Sequence, residues 1–256
     1  MTSFRLFLTE NPEKSQNNRV DFYFTFIDGQ TTMKILAVDT ATTSCSVAVL
    51  DKEILLAEST MVRQQTHSKH LMEIIDYVAD LSGIAISELD GFAVTRGPGT
   101  FTGLRIGMSA IKGLAMATGK PVVGVSSLDA LAMQAAPSPY LICPLIDARR
   151  GEVYFSTYRF QDGYLSRKMN ESVMPPEEAI DYFDEPSIFL GNGDLLHQKM
   201  LKQMMNKASY FIPSYQSTIK ASTVAHLSMY NFENGDTDDI EALVPHYIRK
   251  PDAELE

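Results

Sequence analysis

Along this chain, hydrophobic positions alternate or run together in short stretches broken by turn residues, and a few longer segments carry helical spacing. KILAVD at residues 34–39 reads as a buried strand. SCSVAVL follows a tight ATTS turn as a second, and EILLAESTMV continues as a third. Between residues 68 and 81, Leu71, Ile74, Ile75 and Val78 recur at helical intervals opposite Lys69, Glu73, Asp76 and Asp80, which predicts an amphipathic helix. GFAVT reads as a fourth strand, residues 103–118 as a second helix and KPVVGVSS as a fifth strand, giving the order βββαβαβ.

The order then recurs. YLICPLIDARRGEVYFSTYRF reads as strand, turn and strand, DGYLSRK as a third strand, PEEAIDYF as a short helix, SIFLGNG as a strand, DLLHQKMLKQMM as a helix, ASYFIP as a strand and TVAHLSMYNF as a last helix. The first strand of each half ends in an aspartate before a turn, in AVDTATTS and LIDARRGE, the clearest internal symmetry in the chain. Hairpin strands followed by βαβ imply a mixed sheet with helices on its faces. The expected division is residues 33–136 and 137–256, with the C-terminal segment a candidate to pack back on the first half. Residues 1–32 break the periodicity, and a strong strand follows Met33 at once, so they are expected to be an upstream extension. An extra edge strand supplied by DFYFTF is the alternative.

Composition narrows the class. A chain of 256 residues with 45% hydrophobic and 21% charged residues can bury a substantial core. No run approaches the length of a membrane helix, and the first residues lack a secretory pattern, so cytosol and no membrane partner are expected. Cys45 and Cys143 lie in strand-like apolar runs, as buried reduced thiols would. The net charge of −10 disfavours nonspecific attraction to nucleic acid, so any link to RNA is expected to be indirect.

The stretch RGPGTFTGLRIG, residues 96–107, poses the sharpest chemical question. A glycine loop between strand and helix is where phosphates bind, because free N–H groups and the helix dipole face the anion there. The spacing fits neither known phosphate loop. Gly99 and Gly103 are not followed by Lys-Ser or Lys-Thr, and Gly97, Gly99 and Gly103 are one residue too far apart for a dinucleotide fingerprint. The helix behind the loop carries a second pattern: Gly103, Gly107, Ala110, Gly113 and Ala117 form a small-residue stripe beside a bulky one of Leu104, Met108, Ile111 and Ala115. Interior glycines each cost roughly 1 kcal/mol against alanine, so something should pack closely on that stripe, either the preceding helix or a helix of another subunit.

Other candidates are weaker. His67 and His70 could hold zinc only with a third ligand, and a capping or surface role is the simpler expectation. Asp39 and Asp147 could grip a metal-bound nucleotide across a cleft, or merely serve their turns. Arg149 and Arg150 stand where a phosphate cradle would need small residues. Ser126 has no nucleophile context.

Together, MKILAVDTATTSCSVAVL, HSKHL, RGPGTFTGLRIGMSAIKGLAMATGKPVVGVSSLDALA and VPHYIRKPDAE resemble the bacterial TsaB family, also called YeaZ, from Met33 to about Glu254. The resemblance implies an α/β fold of the actin, sugar-kinase and Hsp70 class, with two RNase H-like halves of mixed five-stranded sheets flanked by helices. It also implies a part in forming N6-threonylcarbamoyladenosine beside the anticodon of tRNAs that read codons beginning with A. In that family the transferase is a paralogue, TsaD, with a metal site. TsaB-like proteins lack that chemistry, bind TsaD through helices of the first half, receive the small ATPase TsaE on the pair, and form homodimers in isolation. Carried onto this chain, the implied interface is His67, His70, Leu71 and Met72 with the small-residue stripe Gly103, Gly107, Ala110, Gly113 and Ala117. Asp39, Thr40, Asp147 and Arg149 become a vestigial nucleotide site, with no metal, no tightly bound cofactor and at most a weak or shared nucleotide at the TsaD joint. An independent ATP-dependent phosphotransferase built on Asp39 and Asp147 is the alternative expectation.

Overall fold

A computed structural model describes residues 32–62, 70–205 and 207–249. Its first sheet is built from β1 (Lys34–Asp39), β2 (Ser44–Asp51), β3 (Ile54–Val62), β4 (Gly91–Gly97) and β5 (Val122–Ser126), in the order β3-β2-β1-β4-β5. The hairpins β1–β2 and β2–β3 are antiparallel, while β4 joins β1 and β5 joins β4 in parallel. The strand period of two decides the layers. From β1, Ile35 and Ala37 enter the core shared with the second half, whereas Leu36 and Val38 face α1 (Leu71–Ser82) and α2 (Phe101–Thr118).

After α3 (Ser127–Gln134), the chain enters β6 (Leu141–Asp147), β7 (Val153–Phe155), β8 (Tyr158–Gln161), β9 (Tyr164–Arg167) and β10 (Ser172–Met174). It continues through α4 (Pro176–Ala179), β11 (Ser187–Leu190), α5 (Asn192–Met204), β12 (Ser209–Phe211) and α6 (Ala221–Asn234). The second sheet runs β10-β7-β6-β11-β12, the first sheet's order repeated, with the β8–β9 hairpin attached to β6 at Tyr158. Seven strands therefore stand where five were expected. The run VYFSTYRF read as one strand, but it leaves the sheet at Ser156, whose buried hydroxyl donates to the carbonyl of Met169, and resumes in β8.

Two helices depart from the sequence reading. SLDALAMQ folds as α3, a helix whose start is capped by Ser126 accepting from the Asp129 N–H; it is short, and it buries its polar Ser127 and Asp129 along with its apolar residues, so no apolar stripe set against a polar face marks it. The last helix, read as part of the second half, packs on the first sheet: the N–H of Ala221 donates to Ser46 Oγ in β2, that of Ser222 to Glu58 in β3, and Val224 and Ala225 enter the core under β1. Residues 1–31 and 63–69, and with them His67 and the DFYFTF alternative, lie outside the described residues.

Candidate functional site

The glycine loop is closed by its own chain. At the end of β1 the backbone of Thr40 and Ala41 turns into the space that the missing side chains leave. A Cβ on Gly103 would stand 2.1 Å from the Thr40 carbonyl oxygen, and one on Gly99 would stand 2.4 Å from that of Ala41. The Thr40 hydroxyl donates to the Gly103 carbonyl at 2.7 Å, and the Thr100 N–H, at the head of α2, donates to Ala41 at 2.7 Å. A backbone donor that would face an anion is thus spent on the β1–β2 turn. Gly107 continues the contact, its would-be Cβ 2.3 Å from Thr40 Oγ1. This corrects the expectation for Gly103 and Gly107: the close approach they allow is to Thr40 within their own half, not to a helix of another subunit.

The rest of the stripe points elsewhere. Ala110, Gly113 and Ala117 lie further along α2, at about 1.5 Å per residue, beyond the Thr40 contact. Gly113 and Ala117 are exposed, Ala110 is half-buried, and nothing lies within 4 Å of a Cβ placed on Gly113. Met116, 72% exposed, stands next to Ala117 on α2, and α1 also carries exposed apolar side chains in Met72, Tyr77 and Leu81. Between the two helices runs a groove of about 640 Å³, lined by Leu71 and Met72 from α1 and Phe101, Arg105, Ile106 and Ala110 among others from α2. Leu71 is a core residue whose edge reaches the groove, and Met72 faces out. His70 sits at the start of α1 and pairs with Glu73 at 3.0 Å, a first-turn surface contact.

Asp39 and Asp147 resolve differently. Asp39 is fully buried; one carboxylate oxygen accepts from the Ala41 N–H (3.1 Å) and the Thr95 hydroxyl (2.8 Å), and the other has no partner. Burial pushes its pKa from 3.8 up to about 7, against the opposing pull of those two hydrogen bonds. The same burial, with Asp39 nearby, pushes the Cys45 thiol up to about 12, so this cysteine is an inert core residue. Asp147 serves its turn, its carboxylate accepting from the Arg149 N–H at 2.8 Å with the Arg149 guanidinium 3.5 Å away. Arg149 and Arg150 both take left-handed backbone angles, φ 63° and 56°, and their side chains are exposed. Among the described residues no three His, Cys, Asp or Glu side chains gather as a metal-holding group.

No sequence pattern marked the charged cluster that joins the halves. Arg167 reaches Asp129 at 2.6 Å and Glu171 at 3.0 Å; the buried Tyr158 hydroxyl donates to Asp129 at 2.8 Å, and the Ser126 hydroxyl donates to Glu171. These residues come from the end of β5, α3, the β8–β9 hairpin and the loop before β10, and their separation hid them. Across this junction passes the segment 243–249, which touches both halves.

The architecture is that of a two-halved α/β protein of the actin, sugar-kinase and Hsp70 class. The sequence profile of TsaD, tRNA N6-adenosine threonylcarbamoyltransferase, matches residues 55–256. The tRNA threonylcarbamoyladenosine biosynthesis protein TsaB of Bacillus subtilis is 31% identical over 225 residues, covering 87% of this chain and 96% of the relative. Its counterpart from Escherichia coli is 29% identical over 226 residues, 85% of this chain and 95% of the relative. The solved YeaZ from Pseudomonas aeruginosa superposes with a TM-score of 0.72 at 30% identity, over 84% of this chain and 99% of that one. The ethanolamine utilization protein EutJ from Carboxydothermus hydrogenoformans, at 13% identity, 78% of this chain, 92% of its own and a TM-score of 0.51, shares the fold. The chain belongs to the TsaB family.

Proposed function

We propose that this chain takes part in making N6-threonylcarbamoyladenosine in tRNA as a non-catalytic subunit: it docks a TsaD-type transferase on the outer face of α1 and α2 and holds it in its competent conformation. The observation that carries this reading is the division of labour on α2. Gly103 and Gly107 are spent on the β1–β2 turn, while Ala110, Gly113 and Ala117 lie on the outward side beside exposed Met116 and a groove of about 640 Å³. Exposed apolar surface flanked by small residues lets a second pair of helices approach closely. The names of the curated relatives place TsaB in this pathway. The activation is a shift of the partner's conformational population through differential binding. A second copy of this chain would use the same face, so self-pairing and docking compete; a TsaE-type ATPase would then dock on the assembled pair. tRNA contact would be indirect, and any nucleotide would be weak or shared at the joint.

The test is a titration of a TsaD-type partner by calorimetry against the chain and against Ala110→Glu and Met116→Glu. Burying an unpaired carboxylate in such an interface should weaken binding at least about 100-fold, with the unfolding midpoint unchanged. Undiminished affinity in both variants would move the docking site elsewhere. Tight stoichiometric ATP binding with turnover by the chain alone would favour the phosphotransferase reading instead.

A further inference from the structure

The segment 243–249 leaves the first half, passes the head of α2 and ends on the second half, fastened along the way. Leu243 is buried with the α1/α2 core and approaches Gly124, whose would-be Cβ lies 3.0 Å from it. The His246 N–H donates to the Arg96 carbonyl at 2.7 Å, at the end of β4, and a Cβ on Gly97 would meet the His246 carbonyl oxygen at 2.7 Å, so the strand end is shaped to this segment. The His246 ring stands 3.2 Å from Glu171, in the charged cluster at the junction. One guanidinium nitrogen of Arg249 donates to the Ala148 carbonyl at 3.0 Å, and another pairs with Glu152, so the far end of the strap holds both sides of the turn that follows Asp147.

The middle of the segment touches the groove. Tyr247 stacks on Phe101 with ring centroids 5.2 Å apart, and its hydroxyl accepts from the Arg105 Nε–H at 3.1 Å. The Arg105 guanidinium carbon stands 3.6 Å from the Phe101 ring centroid. Phe101 and Arg105 also line the groove between α1 and α2. The same two side chains therefore face the docking surface on one side and the strap on the other.

We infer that residues 243–249 are a mechanical link between the docking groove and the junction of the two halves, with Tyr247 as the positioning residue that transmits an occupied groove to the turn at residues 148–152. The inference rests on the docking reading above. A protein seated in the groove fixes the rotamers of Phe101 and Arg105, which fixes Tyr247; with the strap held at Tyr247, its end at Arg249 holds the Ala148 and Glu152 side of the second half. Such coupling requires an element whose arrangement both sites bias, and the strap touches both.

Hydrogen exchange followed by mass spectrometry on the full chain, with and without a TsaD-type partner, separates the two readings. Docking predicts slowed exchange in peptides covering α1 and the first turns of α2. The link further predicts at least about threefold slower exchange in residues 147–153, which lie outside the groove, and loss of that remote protection in the double variant Tyr247→Ala, Arg249→Ala while the groove peptides remain protected. Protection at the groove without change at residues 147–153, or remote protection that persists in the variant, would overturn the link and leave docking intact. No protection at the groove would overturn the docking reading itself. Tyr247→Phe keeps the stack and loses only the bond from Arg105, so it should retain most of the remote protection; full loss in this variant would mean that the stack does not carry the coupling.

Discussion

Two kinds of residue in this chain are spent on one short turn. Thr40 and Ala41 present their carbonyl oxygens to Gly103 and Gly99 and the Thr40 hydroxyl to Gly107, and Asp39 beneath them is sealed from water with one oxygen unpartnered. Gly103→Ala would put a methyl group 2.1 Å from a backbone oxygen, and a rigid turn cannot yield to it. A loss of about 2–3 kcal/mol is expected in urea unfolding. Gly113→Ala, with open space around it, should instead stabilise the free chain by about 0.5–1 kcal/mol through helix propensity. The contrast tests the assignment, because two glycines on one sequence stripe move stability in opposite directions.

Asp39 adds a pH dependence whose sign follows from its shift. Its pKa rises from 3.8 in the ordinary state to about 7 in the folded protein. As pH climbs, the unfolded chain ionises this carboxyl first, while the folded chain keeps it protonated until about 7. The folded state therefore binds the extra proton over that window, stability from this group falls as pH rises through it, and the loss is complete above. Asp39→Asn keeps the acceptor for Ala41 and Thr95, so its stability relative to the parent should rise between about pH 4 and about pH 7 and level off above, by a few kcal/mol at most. Urea midpoints of the two proteins that run parallel across that range would refute the assignment. Asp194, buried at the start of α5 and pushed up to about 7 chiefly by burial, should respond in the same direction to Asp194→Asn.

At the scale of elements, α2 divides its circumference three ways: Leu104, Met108, Ile111 and Ala115 enter the core against the first sheet, Gly103 and Gly107 meet the turn, and Ala110, Gly113, Ala117 and Met116 face outward. The bulky stripe was legible in the sequence, because helical spacing alone places it. The small-residue stripe was legible only as a need for close packing. Which neighbour meets it depends on where β1 ends, and no local pattern encodes that. α1 was legible from its apolar spacing, although its start is set by His70, with His67 outside the described residues. α3 was not legible, being a short helix with nearly every residue buried and so without a polar face. Its capping serine is open to test: Ser126→Ala should cost about 1–2 kcal/mol, since it removes both the cap on Asp129 and the hydrogen bond to Glu171.

Across the whole molecule, two repeated half-folds are tied by elements that break the repeat. α6 returns to the first sheet, and the segment after it crosses between halves. At the junction, Arg167 holds Asp129 and Glu171, and replacing it with methionine would leave two largely buried carboxylates without their cation. A loss of about 3–5 kcal/mol is expected in guanidinium unfolding. In a Tyr158→Phe background, which leaves no buried hydroxyl without its Asp129 acceptor, replacing Asp129, Arg167 and Glu171 together with apolar residues of similar size should recover most of it, because the penalty lies in the stranded charges rather than in the missing pair. Failure of the triple replacement to recover stability would show that the cluster specifies how the halves meet beyond its own charge balance.

By itself, the sequence determined the two half-folds, the strands of the first sheet, the core faces of the first two helices and the family, because strand and helix periods and a dense motif are local properties that survive without a partner surface. Only the tertiary structure decided that the glycine loop is filled by Thr40 and Ala41, that the last helix serves the first sheet, and that Tyr247 and Arg249 join the groove to the second half. Those are contacts between residues far apart in the chain, fixed by how sheets stack and where strands stop, and no spacing within a single segment records them.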